Sequence, residues 1–235
     1  MATSHGGALA VALQDLQHIF GDRLQAVVAY GQPGAEPAPS LALVRALTAD
    51  DLAACAARAA TWHRAGCATP LLLTREEFAA SLDAFPIEYG EILDTHHVIY
   101  GDDPFADLTI RPDDLRRACE VLVKSHLLHL RQNYVDCRGR QSDIAALVSD
   151  AAPGFAVLLR RLARLDGFAA GSLADLGTYA ATRPGLDPRV VGDVLAMAGN
   201  PNGSGVDGAK LYPSYLAAVE QLWLFIDGWH ADQQR

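Results

Sequence analysis

Residues Leu24–Leu47, LQAVVAYGQPGAEPAPSLALVRAL, set two apolar runs, Gln25–Tyr30 and Ser40–Leu47, on either side of Gly31, Pro33, Gly34, Pro37 and Pro39. Short runs of valine, leucine and tyrosine favour extended backbone, and the glycines and prolines between them punctuate it. The stretch predicts strand, turn, strand. Upstream, Leu9, Leu13, Leu16 and Phe20 recur at helical spacing over Ala8–Phe20, with Gly21 as the stop. Downstream, Thr48-Ala49-Asp50-Asp51 is a capping-box pattern that opens an alanine-rich helix over Asp51–Ala65. Leu52, Cys55, Ala59 and Trp62 fall on its core line, and Gly66 ends it.

Thr69–Thr74 predicts a third strand, and Thr74–Glu77 repeats the capping signal ahead of a short helix carrying Phe78 and Leu82. Phe85–Tyr89 reads as extended, because Pro86 disfavours helical geometry at Phe85. Ile92–Tyr100 fits helix or strand. Gly101-Asp102-Asp103-Pro104 is the break, and past it the strand signals fade. Asp113–Val135 is one long periodic helix whose core line is Leu115, Cys119, Leu122, His126, Leu130 and Tyr134. Ser142–Leu165 is helical with a break or kink near Pro153-Gly154, and Ser172–Ala180, Pro188–Met197 and Tyr212–Trp229 follow. The expected fold is α+β. A mixed sheet with flanking helices occupies residues 1–103, and an all-α bundle occupies residues 104–235.

Half of the 235 residues are apolar, enough for a sizeable core, and no run reaches the roughly 18 uninterrupted apolar residues of a membrane span. The first residues carry no basic flank of the kind a signal peptide needs. A net charge of −9 disfavours nonspecific binding to nucleic acid or to anionic membranes. Cys55, Cys67, Cys119 and Cys137 include no C-x-x-C pair, so reduced, buried thiols are expected. Together these features describe a cytoplasmic protein with neither a nucleic-acid nor a membrane partner.

The stretch around Gly31 resembles the Gly-Ser turn and second strand of the nucleotidyltransferase fold, in the kanamycin-type and minimal nucleotidyltransferases. In that family the turn holds a nucleoside triphosphate, and two aspartates separated by one residue on the next strand hold metal ions. Gly31 matches the glycine, and Gln32 stands where serine is expected. Ser40-Leu41-Ala42-Leu43 stands where Ser-Asp-x-Asp is expected, and no acid lies between Glu36 and Asp50 to replace the pair. The resemblance runs from Leu13 to Leu165 and also covers a C-terminal helical domain. FPIEYGEILDTHHVIYGDDPF, with the helix after it, is similar to a subfamily of bacterial nucleotidyltransferase-domain proteins.

Nucleotidyl transfer depends on divalent metals held between carboxylates and substrate phosphates. Magnesium takes hard oxygen ligands, which leucine cannot supply. The resemblance therefore implies a vestigial nucleotide turn at Gly31, Gln32 and Ser40 with no metal ligands and no cofactor. Function then passes to binding or regulation, through a protein partner or a homodimer. The alternative is an active transferase using magnesium and a nucleoside triphosphate, with Glu88, Glu91 or Asp94 as displaced carboxylates near the last strand of the sheet. Glu36 reads as a solvated loop charge.

Adjacent His96 and His97 point apart, and His126 and His129 lack an H-E-x-x-H context, so none is assigned a metal. His126 reads as a hydrogen-bonded core residue. Arg117, Lys124, Arg131 and Arg138 recur every seven residues as a basic stripe, solvated or facing an acidic partner. No histidine follows Arg131 within Gln132–Arg138, which argues against the arginine–histidine motif of toxin-like helical RNases. Tyr212–Trp229 is apolar around most of its circumference, so it should close the bundle on one side and meet a second copy on the other.

Overall fold

The structure, a computed structural model, describes residues 3–31, 37–200 and 205–229. The chain divides into two compact units, Met1–Arg111 and Pro112–Arg235. The first contains helix α1 (Thr3–Phe20), strands β1 (Leu24–Ala29) and β2 (Ser40–Val44), helix α2 (Ala49–Arg64), strand β3 (Leu71–Leu73), helices α3 (Arg75–Ala80) and α4 (Pro86–Thr95), and strand β4 (His97–Tyr100). The strands form one sheet in the order β3-β2-β1-β4. β1 runs antiparallel to β2 and to β4, whereas β2 and β3 are parallel, so the sheet is mixed.

All five residues of β2 are buried. A strand covered on both faces reads as a continuous apolar run rather than an alternation. Successive side chains still point to opposite faces. Ala42 and Val44 pack with Leu16, Phe20, Val27 and Trp62 beneath α1 and α2, and Leu41 and Leu43 pack with Val28, Phe78, Tyr89 and Phe105 on the other side. The α1/α2 side is tied by Asp15, which accepts from Trp62 Nε1 at 2.9 Å and from Arg58 at 2.5 Å. Both expected capping boxes form, Thr48 with Asp51 and Thr74 with Glu77. Gly101, at φ +81°, closes β4 against β1. A Cβ there would sit 2.2 Å from the Gln25 carbonyl oxygen, so only glycine fits.

Two readings change in this unit. Phe85 does avoid helical geometry, at φ −125° and ψ 50°, but Pro86 then serves as the first residue of α4 instead of prolonging an extended segment. Proline is suited to that position, since its fixed φ matches the helix and its missing N–H has no intrahelical partner to lose. Ile92–Tyr100 is divided, helix to Thr95 and strand from His97. Leu52, expected inside, is 48% exposed.

Among its described residues the regular elements of the second unit are all helices: α5 (Pro112–Asp136), α6 (Gln141–Leu165), α7 (Leu173–Thr182), α8 (Pro188–Gly199) and α9 (Gly208–Asp227). The buried line of α5 is Leu115, Cys119, Val123, Leu127 and Leu130. Leu122 and Tyr134 therefore leave the expected line and stand at the surface, because a run of four-residue steps drifts around the helix until a three-residue step corrects it. α6 passes through Pro153 without a break. An interior proline costs about 3 kcal/mol. Val148, Ala152, Phe155, Leu159 and Leu162 lie buried on both sides of it, and each larger side chain returns roughly 1.5–3 kcal/mol. Among the described residues α6 alone is long and apolar enough to cross a membrane, and its apolar side is this packed core. All four cysteines are free and buried.

Candidate functional site

Gly31 follows β1 at φ +86°, a conformation that favours glycine. Its N–H donates to Thr95 Oγ1 at 2.9 Å, and the Thr95 hydroxyl donates to the Glu91 carbonyl at 2.7 Å. The glycine amide is thus tied to the last turn of α4. Gln32 and Glu36 lie outside the described residues. Ser40 opens β2 opposite Ala29, and strand alternation places its side chain on the Ala42/Val44 side. Its buried Oγ has no hydrogen-bond partner among the described residues.

Leu41 and Leu43 are fully buried. They face a stack of rings in which Phe78 lies 4.4 Å from Tyr89 at 5° and 4.6 Å from Phe105 at 28°. Burial pushes the Tyr89 hydroxyl above its ordinary pKa. α3 supplies Phe78 and α4 supplies Tyr89 and Ile92, so this face of the sheet is roofed by two helices and packed with apolar groups.

Glu88, Glu91 and Asp94 stand on α4, the helix that leads into β4, and β4 itself (HVIY) carries no acid. Glu88 and Asp94 are exposed and Glu91 is half-buried. Burial, with the Glu91 charge nearby, raises the pKa of Tyr30. Among the described residues no three histidine, cysteine or acidic side chains are placed to hold one metal ion.

His96 and His97 have different surroundings. His96 bonds the Leu93 carbonyl at 3.0 Å through Nδ1 and Asp103 at 3.2 Å through Nε2, and His97 is exposed on β4. His126 Nε2 lies 2.6 Å from the Tyr215 hydroxyl. Burial, with His129 adding to it, pushes its pKa down to about 4.

The basic stripe on α5 is largely taken up within the second unit. Arg117 pairs with Asp114, Lys124 Nζ sits 3.5 Å above the Trp223 ring, and Arg131 meets Glu220 at 2.6 Å. Two of these partners lie on α9, beyond the reach of helical periodicity. Asp166 carries no mark in the local sequence. Its side chain is 1% exposed and accepts from Trp229 Nε1 at 2.8 Å and from the Tyr179 hydroxyl at 2.9 Å. Partners scattered over sixty-odd residues give no local signal. α9 buries Tyr215, Val219, Leu222 and Ile226 in the bundle and leaves Leu224 exposed.

Compared with models of known protein families and with curated proteins, the chain matches none.

Proposed function

We propose that the first unit is a nucleotidyltransferase-like domain whose catalytic face has been filled, and that the protein acts by binding rather than by nucleotide transfer. The observation that carries this reading is the pair Leu41 and Leu43. They occupy the positions the resemblance gives to metal-binding aspartates, and they lie under the Phe78–Tyr89–Phe105 stack. An apolar pair sealed from water cannot coordinate magnesium. Loss of the Gly31 amide to Thr95 adds to this, since a phosphate would have to displace an intact hydrogen bond. Gly31, Gln32 and Ser40 are in this reading the remnant of a nucleotide turn. The partner is another protein or a second copy of this chain, and Leu224 of α9 is an exposed apolar residue available for such contact.

The rival is transfer through Glu88, Glu91 or Asp94. Incubation of the full chain with labelled ATP or GTP, magnesium or manganese, and candidate acceptors separates the two. The degenerate reading expects no transfer above the protein-free rate. Metal-dependent transfer that disappears in Glu88→Gln or Asp94→Asn, with the fold intact, would establish the rival.

A further inference from the structure

A groove of about 480 Å³ lies between α5 and α6 in the helical unit. That volume is within the range of small-molecule sites. α5 presents His126, His129, Leu130 and Asn133, and α6 presents Leu147, Asp150, Ala151 and Gly154. Each set follows helical spacing, so two ridges face each other along antiparallel lips. The groove is open because two α6 positions are small. A Cβ at Gly154 would lie 3.4 Å from both Cε1 and Nδ1 of His126, so the Nδ1 edge of the imidazole meets the groove wall there.

The polar groups of this groove are built in an orderly way. Tyr215, fully buried on α9, reaches through the bundle to His126 Nε2 and fixes the ring. Among the described residues nothing hydrogen-bonds His126 Nδ1 or the side chains of His129, Asn133 and Asp150. Leu130, Leu147 and Ala151 supply an apolar floor. Convergent polar groups over an apolar floor are the usual form of a small-molecule site.

The charge of the lining selects the ligand. No lysine or arginine lines the groove, and Asp150 is its one acid. Burial keeps His126 uncharged near neutral pH, so it does not repel a cation. An anion would meet a carboxylate and no compensating guanidinium or ammonium. We propose that the α5–α6 groove binds a small organic cation, a primary amine on a short apolar body. Its ammonium group pairs with Asp150, a neighbouring polar atom bonds Asn133 or His126 Nδ1, and its methylenes rest on Leu130, Leu147 and Ala151. This site is independent of the nucleotidyltransferase reading, which concerns the other unit.

Long-range nitrogen–proton NMR correlation on the full chain follows the His126 ring directly. Titration with diaminobutane should move the His126 resonances along a saturating curve with a midpoint below about 10 mM. Inorganic phosphate at matched ionic strength should leave them in place. Asp150→Asn, an exposed change, should raise the midpoint at least about tenfold, whereas the control Asp227→Asn on α9 should not. A linear, unsaturating drift, an equal response to phosphate, or an unchanged midpoint in Asp150→Asn would each overturn the site.

Discussion

The backbone N–H of Gly31 donates to Oγ1 of Thr95 at 2.9 Å, across sixty-four positions of sequence. One threonine thereby joins the turn after β1 to the end of α4, the helix that roofs the Leu41/Leu43 face. Thr95→Val keeps the shape and removes the acceptor. An unmet, part-buried amide costs about 1–3 kcal/mol. Urea denaturation should show a loss of that size with an unchanged slope. No loss would mean that the turn is held by something other than Thr95.

An acid introduced on the Leu41/Leu43 face should destabilise the protein. Leu43 is 1% exposed among aromatic rings. Leu43→Asp removes the leucine packing and places a carboxylate where no partner waits. A loss of more than about 4 kcal/mol is expected, enough to unfold the unit or make it aggregate. Near-normal stability of Leu43→Asp, measured by thermal or urea unfolding, would mean that this face is open to water.

His126 predicts an acid-side weakness. Its pKa is about 4 when folded, against 6.5 for the free side chain. Because the unfolded chain binds the proton more readily, stability is full above pH 6.5 and falls as pH drops from 6.5 towards 4. The contribution is about 2–3 kcal/mol, discounted for the open groove beside the ring. Unfolding of His126→Asn across that window should be correspondingly flatter than wild type. Equal slopes would assign the acid sensitivity to other groups.

Much of this architecture was legible because its signals are local. The two capping boxes, the strand pair around Gly31, the β/α alternation and the helical second half each rest on residues a few positions apart. What escaped depends on distance in sequence. Pro153 is a barrier by local geometry, yet core packing on both sides carries α6 past it. The α5 stripe shows its spacing but not its partners, since Glu220 lies 89 positions beyond Arg131 and Trp223 about a hundred beyond Lys124. At Leu41 and Leu43 the sequence shows side chains that offer no oxygen ligand. It carried no sign of the aromatic roof or of the Gly31–Thr95 bond, which form only when α3, α4 and the sheet come together.

Asp166 should be the most sensitive polar residue of the helical unit. It joins the end of α6 to Tyr179 on α7 and to Trp229 beyond α9. Asp166→Ala strands an indole N–H and a buried hydroxyl, so about 3 kcal/mol of stability should be lost. Trp229 fluorescence should report the change. A loss below about 1 kcal/mol would show that the three elements are held by apolar contacts alone.

Calorimetric titration of ATP or GTP into the full chain, with and without magnesium, tests the filled-face account most directly. With Leu41 and Leu43 buried and offering no oxygen ligand, and the Gly31 amide committed to Thr95, magnesium should add nothing to whatever weak heat is seen. Tight nucleotide binding that appears only with magnesium would contradict the account.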